Sequence, residues 1–514
     1  MSRFYLTTAI DYANGDPHLG HALEKIGCDV IARYHRLLGV EVHLLTGMDE
    51  HGQKVQQTSA QQGVHPQAFT DEIAARFQAM WARLDVQYDQ FIRTTSAHHK
   101  VGVQALIRRI AKRNPDDFYE RSYRGMYCVG CEAFKQDGDI VDGQCVLHPT
   151  RQLEIVEERN WFFRLSRYQP FLQELLASNP SFIEPESRRN EILGLLAQGL
   201  EDISASRSRL EWAVPFPLPL STGETQGTYV WFDALPNYLT ATGFPDAGYE
   251  TRWPADLHVI GKDITRFHAV IWPAMLHAAG LPLPRQVWAH GFVQLAGERF
   301  SKSAGVKLDL GEAIDRFGVD AFRYVLLREV PFDRDGNFSW ERFEERYTSD
   351  LANALGNLAS RATAMVEKFC AAIVPLAERP DIEVGDDVDI DAYHAAMDGR
   401  QGWLLHDGLA AVARMTARAN EYTQASAPWT LAKDPAQRAA LEQCLSSLLR
   451  RLAKQAVLLA PFMPRKAQAM WEQIGGPGAV AAQRFSGVHA LDAAGWHVKK
   501  GDALFPRPVV TPAA

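Results

Sequence analysis

Residues 4–21 read FYLTTAIDYANGDPHLGH and join a strand-like apolar run to the opening turn of a helix. Asp16 is a favourable N-cap for that helix. His18 and His21 then lie one turn apart at its positive end, where free N–H groups and the helix dipole favour a polyphosphate. Because a further strand is expected at residues 42–47, the sequence predicts a βαβ unit and a parallel sheet. The alternative is two surface histidines on a capped helix.

The composition limits the class of protein. The chain has 514 residues, 46% of them hydrophobic, so about two to four domains with large cores are expected. A formal net charge of −8 argues against a molecule that is basic as a whole and binds nucleic acid for that reason. No apolar run reaches the ~20 residues needed to cross a bilayer, and the N-terminus has no signal-peptide pattern. Six cysteines do not form a disulfide framework in a chain of this length, so we predict a cytoplasmic protein without a membrane partner.

Hydrophobic periodicity divides the chain into five segments. They are the first half of an α/β domain at 1–115, an insertion at 116–225, the second half at 226–325, a connecting segment at 326–345 and an α-helical domain at 346–514. In the second half, strands are expected at residues 228–232, 257–261 and 286–291, each ending where α/β proteins bind ligands. The predicted fold class is therefore α/β, with a Rossmann-like parallel sheet split by an insertion and followed by a helical bundle.

Leucine spacing identifies the helical segment. Leu351, Leu355 and Leu358 follow steps of four and three, as does the run that starts at Leu441. This spacing is typical of helices that bury one face in an antiparallel bundle. A segment rich in Asp and Pro, at residues 378–391, is interpreted as a linker between two of these helices.

A second candidate phosphate-binding element is the loop RFSKS at residues 299–303. Lys302 lies there between Ser301 and Ser303, in a loop bordered by glycines, and can move to meet a pyrophosphate as its charge develops. The alternative is an ordinary solvated loop. Order along the chain favours the phosphate hypothesis, because the histidine element follows the first strand and the lysine loop follows the last.

The insertion carries a pattern typical of a metal site. Cys128-x2-Cys131 is followed by Cys145-x2-His148, which supplies three thiolates and one imidazole. Such a set closes a tetrahedral Zn²⁺ site with no position left for water, so we predict one structural zinc ion per chain. The alternative is three buried cysteines with a histidine nearby by chance.

Seven stretches together resemble the class I aminoacyl-tRNA synthetases and, within that class, the methionyl-tRNA synthetases. They are AIDYANG at 9–15, HLGH at 18–21, TGMDEHG at 46–52, YVWFDA at 229–234, GKDI at 261–264, HGFV at 290–293 and RFSKS at 299–303. Leu19 stands where the family often has Ile, and Arg299-Phe300 stands where it often has Lys-Met. Both changes keep the apolar or cationic character.

The resemblance implies an ATP-dependent ligase. Such an enzyme activates L-methionine to methionyl-adenylate, releases diphosphate and transfers the methionyl group to the 3′ end of tRNA(Met), supplying initiator and elongator methionyl-tRNA for translation. Mg²⁺ accompanies the ATP, as polyphosphate charge requires. The insertion lies where the family has a zinc knuckle, and it is too short for the editing domain of the leucine, isoleucine and valine enzymes. We expect a monomer, because the chain ends without the C-terminal module that many relatives carry.

The resemblance also implies roles for single residues. His18 and His21 bind phosphate in the transition state, and Lys302 clamps the leaving pyrophosphate. Asp49 accepts the ammonium group of the amino acid. The other ATP contacts are assigned to Asn14, Gly20, Asp263, His290, Gly291, Ser301 and Ser303. The methionine pocket, where aromatic rings recognise the thioether, is assigned to Ile10, Tyr12, Trp231, Ala234, Leu235, Tyr238, Ile264 and His268. Without the resemblance, such aromatic residues after a strand are more often core residues.

Three residues of the helical domain are candidates for RNA contact. Asn357 and Arg361 are one turn apart beside the leucine stripe and could present a polar edge to an unpaired base. Trp429 follows Pro428, and an exposed Trp at such a position could stack on a splayed base. The alternative is a Trp buried between helices. The resemblance favours the anticodon role.

Three other functions are open at this level. A class I synthetase for cysteine would need zinc with an open position near the ATP site. A non-catalytic RNA-binding paralogue would be expected to lack His18, His21 or Lys302, all of which are present. A nucleotidylyltransferase with the same histidine element would be shorter and would not need the helical domain. Amino-acid-dependent ATP–pyrophosphate exchange distinguishes these functions.

Overall fold

The computed structural model describes residues 2–128, 133–135, 138, 140–146, 148–208, 210–295, 298–299 and 310–506. Four predicted site residues and one side chain lie outside this description: Cys131, Ser301, Lys302, Ser303 and the side chain of His148. Among the described residues, no helix is both long enough and apolar enough to cross a membrane.

The first half of the chain supplies the centre of a parallel sheet. Its elements are β1 (Arg3–Thr8), β2 (Asp11–Tyr12), α1 (Leu19–Leu37), β3 (Glu41–Asp49), α2 (Gln53–Gln61), α3 (Pro66–Arg83), β4 (Gln90–Arg93) and α4 (Ala97–Arg113). β1 pairs with β3 in parallel, with Leu6 opposite Leu44, and β3 also pairs with β2 and β4. The predicted βαβ unit is therefore confirmed.

The insertion forms an antiparallel sheet of its own. Its elements are β5 (Phe118–Cys128), β6 (Ala133–Phe134), β7 (Ile140–Val141), β8 (Gln144–Cys145), β9 (His148–Gln152), β10 (Glu154–Phe163), α5 (Gln169–Ser178), β11 (Ile183–Glu184), α6 (Glu186–Gln198), β12 (Ile203–Ser204) and β13 (Ser206–Arg207). β5 and β10 form a long antiparallel pair, flanked by β6 and β12. β5 ends at Cys128, and Cys145 lies on β8 of a separate antiparallel sheet formed by β7, β8 and β9.

The second half extends the parallel sheet on the other side of β1. Its elements are β14 (Gly227–Thr228), α7 (Val230–Ala234), α8 (Asn237–Thr240), β15 (Leu257–Gly261), α9 (Trp272–Ala279), β16 (Val287–His290), β17 (Val293–Leu295), β18 (Glu298–Arg299), α10 (Leu310–Phe317), α11 (Val319–Glu329) and β19 (Gly336–Phe338). The described strands run in the order β11-β16-β15-β1-β3-β2, with β4 also on β3, so β11 joins this sheet from within the insertion. Because the chain order reverses at β1, ligands are expected at its carboxyl end.

One predicted strand, at residues 228–232, is wrong. β14 ends at Thr228, and α7 begins at Val230. A short run of β-branched and aromatic residues fits a buried helix as well as it fits a strand, so periodicity alone does not separate the two. Val230 and Phe232 are buried, whereas Trp231 between them is only partly buried.

The last segment is a helical bundle, as predicted. Its elements are α12 (Trp340–Arg346), a π-helix (Tyr347–Gly356), α13 (Asn357–Phe369), α14 (Val384–Met397), α15 (Leu405–Ser426), α16 (Pro428–Leu431), α17 (Arg438–Leu459) and α18 (Pro464–Gln473). Leu441, Leu445 and Leu448 of α17 are buried, so the predicted leucine stripe packs inside the bundle.

The linker predicted at 378–391 is wrong in its second half, because α14 begins at Val384. Asp386 is fully buried and accepts hydrogen bonds from Nε of Arg451 (2.5 Å) and Nε of Arg418 (3.1 Å). The Asp- and Pro-rich composition of residues 378–391 suggests a solvated segment. A buried carboxylate held by two guanidinium groups is instead part of a packed interior. An acidic residue in the first turn of a helix is also favoured by the helix dipole.

Candidate active site

A cleft opens at the carboxyl ends of β1, β15 and β16, where the order of the sheet reverses. Its volume is about 400 Å³, which suits small-molecule substrates. Most of the predicted site residues line it, from both halves of the sheet: Ile10, Tyr12, His18, Gly20, His21, Asp49, Trp231, Ala234, Leu235, Tyr238, Asp263, Ile264, His268, His290 and Gly291. Asn14 is described and is not among the lining residues.

The histidine element forms the first turn of α1, and its cap differs from the prediction. The N-cap is His18 and not Asp16. Nδ1 of His18 accepts a hydrogen bond from the backbone N–H of Gly20, and the backbone N–H of His18 donates to Nδ1 of His21, both at 3.2 Å. This reciprocal pair satisfies two of the free N–H groups at the start of the helix, which leaves no need for another cap. Asp16 pairs instead with Arg76 at the surface (2.5 Å).

These hydrogen bonds determine the protonation of the two rings. Because each Nδ1 accepts a hydrogen bond, a neutral ring carries its proton on Nε2. The rings of His18 and His21 stack with centroids 3.6 Å apart. A Cβ atom at Gly20 would lie 3.1 Å from Cε1 of His18, so glycine leaves room for the stacked rings. The element therefore carries two adjacent Nε2–H donors, an arrangement suited to an anion.

The predicted amino-acid pocket is built around His268. Its Nδ1 donates to the carbonyl oxygen of Ile264 (3.0 Å), and its Nε2 accepts from the hydroxyl of Tyr238 (2.7 Å). Burial lowers the pKa of His268 to about 4, so the ring is neutral at physiological pH. Trp231 stacks on Phe267 with centroids 3.7 Å apart. Phe267 is not among the predicted residues. The one sequence feature that could have indicated it is its position directly before His268.

A buried histidine–aspartate group behind this pocket has no counterpart among the predicted residues. Nδ1 of His51 donates to Oδ2 of Asp233 (2.6 Å), and Nε2 of His99 donates to Oδ1 (2.9 Å). Although burial by itself raises the pKa of Asp233, His51 and His99 hold it well below its ordinary value. The group links His51, which follows the end of β3 at Asp49, to α7, which carries Trp231. His51 and Asp233 lie within two of the resembling stretches, but His99 comes from α4 and carries no such signal.

A second unpredicted group lies on the floor of the cleft. Nζ of Lys25 donates to Oδ1 of Asp11 (2.8 Å) and to Oε1 of Glu24 (2.7 Å). Oε2 of Glu24 in turn lies 3.1 Å from Nε2 of His290. The group connects β2, α1 and the end of β16. Asp11 and His290 lie within two of the resembling stretches, but only His290 was assigned a role.

The predicted zinc ligands are described only in part. Cys128 and Cys145 are both buried. Cys145 and His148 are opposite each other in the antiparallel pair of β8 and β9. In the part of the chain that the structure describes, no cluster of three or more potential metal ligands is present. The geometry of the complete set lies outside the described residues, because Cys131 and the His148 side chain do.

The predicted RNA-contact residues lie at the surface of the helical domain. The guanidinium of Arg361 lies 5.4 Å from the centroid of the Trp429 ring. The Trp429 residue is 39% exposed, and Asn357 and Arg361 are exposed as well. The alternative of a buried Trp anchor is therefore wrong. An exposed indole with a cation near its face is a suitable surface for stacking an unpaired base.

Two family models match the chain, one for "tRNA synthetases class I (M)" over residues 4–152 and 138–363, and one for the "Anticodon binding domain of methionyl tRNA ligase" over residues 386–507. The methionine–tRNA ligase of Streptomyces coelicolor is 41% identical over 537 residues, which is 99% of this chain and 98% of the relative. That of Caldanaerobacter subterraneus is 41% identical over 517 residues, 98% of this chain and 78% of the relative. The chain belongs to the methionyl-tRNA synthetases.

Solved structures agree with this assignment over both parts of the chain. The Mycobacterium tuberculosis methionyl-tRNA synthetase in complex with methionyl-adenylate is similar with a TM-score of 0.92 and 39% identity, over 99% of this chain and all of that chain. The apo form of that enzyme gives a TM-score of 0.85 and 37% identity, over 99% of this chain and 98% of that chain. The predicted α/β fold, the family and the class of ATP-dependent ligase are confirmed. The cysteine enzyme, the non-catalytic paralogue and the nucleotidylyltransferase are thereby excluded.

Proposed function

We propose that the chain activates L-methionine with ATP in the described cleft and transfers the methionyl group to tRNA(Met), supplying initiator and elongator methionyl-tRNA. The observation that carries this proposal is the meeting, in one cleft of about 400 Å³, of the stacked His18 and His21 with the neutral aromatic pocket around His268. One end suits a triphosphate, and the other suits an uncharged side chain. Both substrates can therefore lie side by side.

The reaction has two steps. A carboxylate oxygen of methionine forms a bond to the α-phosphorus of ATP while the bond from that phosphorus to the bridging oxygen breaks, giving methionyl-adenylate and pyrophosphate. A terminal ribose hydroxyl of the tRNA then attacks the carbonyl, and AMP leaves. No side chain has to become a covalent nucleophile. Catalysis in this scheme comes from positioning and from stabilisation of developing charge.

The phosphate end of the cleft stabilises the first step. His18 and His21 donate Nε2–H to phosphate oxygens as negative charge accumulates, and Lys302 binds the leaving pyrophosphate. Asp263, after β15, and the His290-Gly291 turn, after β16, hold the adenosine. Further ATP contacts are Asn14, Gly20, Ser301 and Ser303. Mg²⁺ enters with ATP as the counterion of the polyphosphate.

The amino-acid end selects methionine. Asp49, at the end of β3, accepts the substrate ammonium as a charge-assisted pair. The thioether lies against the aromatic rings of Tyr12, Trp231 and Tyr238, with Ile10, Ala234, Leu235 and Ile264 completing the walls. Because the Tyr238 hydroxyl and His268 bond each other, a polar substrate side chain gains little in this pocket.

The insertion and the helical domain have supporting roles in this proposal. One structural Zn²⁺ is held by Cys128, Cys131, Cys145 and His148; the burial of two of these thiols and the pairing of β8 with β9 support the site. Asn357, Arg361 and Trp429 contact the anticodon. We place the catalytic halves at 1–115 and 226–325, with β11 of the insertion completing their sheet. The protein acts as a monomer in the cytoplasm.

The test is ATP–pyrophosphate exchange with each of the twenty amino acids, followed by charging of tRNA(Met). Methionine is expected to give the strongest exchange, and a signal led by another amino acid would overturn the substrate assignment. His21→Ala, which removes the Nε2–H donor, is expected to slow exchange by roughly 100-fold, because loss of one donor to a developing oxyanion has about this effect. Asp16→Ala, which removes the neighbouring surface pair, is the matched control and is expected to leave the rate unchanged.

A further inference from the structure

The floor of the cleft contains a buried ammonium group that the reaction above does not use. Lys25, on α1, is 1% exposed. It donates hydrogen bonds to the carbonyl oxygen of Ala9 (2.9 Å), to Oδ1 of Asp11 (2.8 Å) and to Oε1 of Glu24 (2.7 Å). These three bonds use all of its donors. Lys25 therefore ties the end of β1 and the short β2 to the helix that carries both phosphate-binding histidines.

Asp11 lies on the phosphate side of this arrangement. Side chains alternate along a strand, so Asp11 faces α1, whereas the next residue, Tyr12, is in register with Asp49 on the amino-acid side. Oδ1 of Asp11 lies 4.0 Å from Nε2 of His21, the atom proposed to donate to phosphate. The Asp11 residue lines the cleft and is 5% exposed.

The second carboxylate oxygen of Asp11 is the unusual atom. Oδ2 is buried and has no hydrogen-bond partner among the described residues. Leaving a buried acceptor unpaired costs free energy, so the position needs a reason. Lys25 already occupies Oδ1, and the Nε2–H of His21, 4.0 Å from Oδ1, is a second donor beside the same carboxylate.

The negative charge of Asp11 and the positive charge of Lys25 have opposite effects on bound ATP. A carboxylate 4.0 Å from the His21 ring stabilises the positive charge that develops on that ring as it donates to a phosphate. The same carboxylate repels the triphosphate unless a cation compensates for it, and Lys25 supplies that cation. Burial raises the pKa of Asp11 to about 7, and Lys25 opposes this rise, so the pair also controls how far Asp11 is ionised.

We propose that Asp11 and Lys25 form a positioning pair for His21: Asp11 stabilises the ring while it donates to the α-phosphate, and Lys25 cancels the charge that this carboxylate would otherwise present to ATP. This inference rests on the proposed role of His21 in phosphate binding. It assigns different kinetic effects to the two residues. Asp11 acts on the rate of adenylate formation, and Lys25 acts on the binding of ATP.

The test measures kcat and the KM values for ATP and methionine by pyrophosphate exchange, in the wild type, the two single variants, the double variant and a control variant. Asp11→Asn is expected to lower kcat by about tenfold with the KM for methionine unchanged. Lys25→Met, which leaves two buried carboxylates uncompensated, is expected to raise the KM for ATP by about tenfold or more. In the double variant, the KM for ATP returns toward the wild-type value while kcat stays as low as in Asp11→Asn.

Arg33→Met is the matched control. Arg33 is on the same helix and pairs with Asp29 (2.7 Å), which is also held by Arg323 (2.6 Å). Loss of Arg33 is therefore expected to leave all three kinetic constants unchanged.

Two outcomes would contradict the proposed roles of Asp11 and Lys25. One is an equal increase in both KM values for Lys25→Met, and the other is a double variant in which ATP binding does not recover. If Lys25→Met does not fold, Asp11→Asn and the double variant carry the test: an unchanged kcat in both rejects the pair. A wild-type protein without methionine-dependent exchange would reject the proposed function itself.

Discussion

Hydrogen bonds decide what each histidine of the cleft can do. His18 and His21 accept backbone N–H groups at Nδ1, which leaves Nε2–H as their donor. His268 uses both of its nitrogens within the protein, so it forms an uncharged wall. Residues of one type thus serve opposite purposes within one cleft. The difference lies in the partner of the second ring nitrogen, which identity alone does not reveal.

At the residue scale, methionine affinity is expected to be constant above about pH 5 and to weaken as pH falls through about 4, where the His268 ring becomes protonated. The pKa of His268 in the folded protein, about 4, lies below the ordinary value of about 6.5, so the neutral ring is favoured at and above neutrality and lost on acidification. A protonated ring cannot accept from the Tyr238 hydroxyl. Titration of methionine by tryptophan fluorescence from about pH 3.5 to about pH 8 checks this.

Tyr238→Phe is the comparison for that titration. It removes the hydroxyl that His268 accepts from, so affinity at neutral pH is expected to fall and the acid-dependent loss to become smaller. Equal affinity of the unmodified protein at about pH 3.5 and about pH 7.5, with the fold retained, would contradict the role given to His268.

At the scale of elements, apolar periodicity predicted most of the sheet. β1, β3, β15 and β16 were predictable because each is a continuous apolar run between turns, and α1 because its apolar residues recur at helical spacing. Two elements were not. The run at 228–232 is too short for its periodicity to distinguish strand from helix. α14 begins with acidic residues that resemble a linker until Arg418 and Arg451, distant in sequence, are placed beside Asp386.

Asp386→Ala is therefore expected to destabilise the helical domain. It leaves the buried Arg451 without its partner, which costs about 3–5 kcal/mol for a buried pair broken on one side. Calorimetry should show a lower first unfolding transition, while methionine-dependent exchange is retained. Asp381→Ala, at an exposed position of the same segment, is the control and is expected to change stability by no more than about 0.5 kcal/mol. Equal stability of the two variants would show that the pair with Arg451 contributes little.

At the scale of the whole molecule, α1 connects the cleft to the helical domain. It begins at the histidine element, and near its other end Tyr34 forms a hydrogen bond with His394 of α14. Arg323 is fully buried between them and donates to Asp29 of α1 (2.6 Å) and to the carbonyl oxygens of Pro461 (3.0 Å) and Phe462 (2.8 Å). The helix proposed to bind phosphate is therefore braced directly against the domain proposed to bind tRNA.

Trp429→Ala tests whether tRNA binding by the helical domain can be separated from methionine activation in the cleft. Loss of one base-stacking surface is worth about 1–3 kcal/mol, so kcat/KM for tRNA(Met) is expected to fall by roughly 5–150-fold while methionine-dependent exchange is unchanged. Charging and exchange assays on the same preparation measure both. Leu376→Ala, at another exposed apolar residue of the helical domain, is expected to affect neither. A parallel loss of both activities with a lower melting temperature would indicate a structural role for Trp429.

The amino-acid order alone supports the parallel sheet, the helical third, the histidine element and the family, because these depend on local periodicity and on short contiguous stretches. It does not show how distant residues pair. The hydrogen bonds of Lys25 with Asp11, and of His51 and His99 with Asp233, join positions that no local pattern links. The cation–π contact of Arg361 with Trp429 does the same. Burial then gives these pairs their chemistry: away from water, an unpaired charge is costly, so each partner determines whether its neighbour is charged, neutral or available to a substrate.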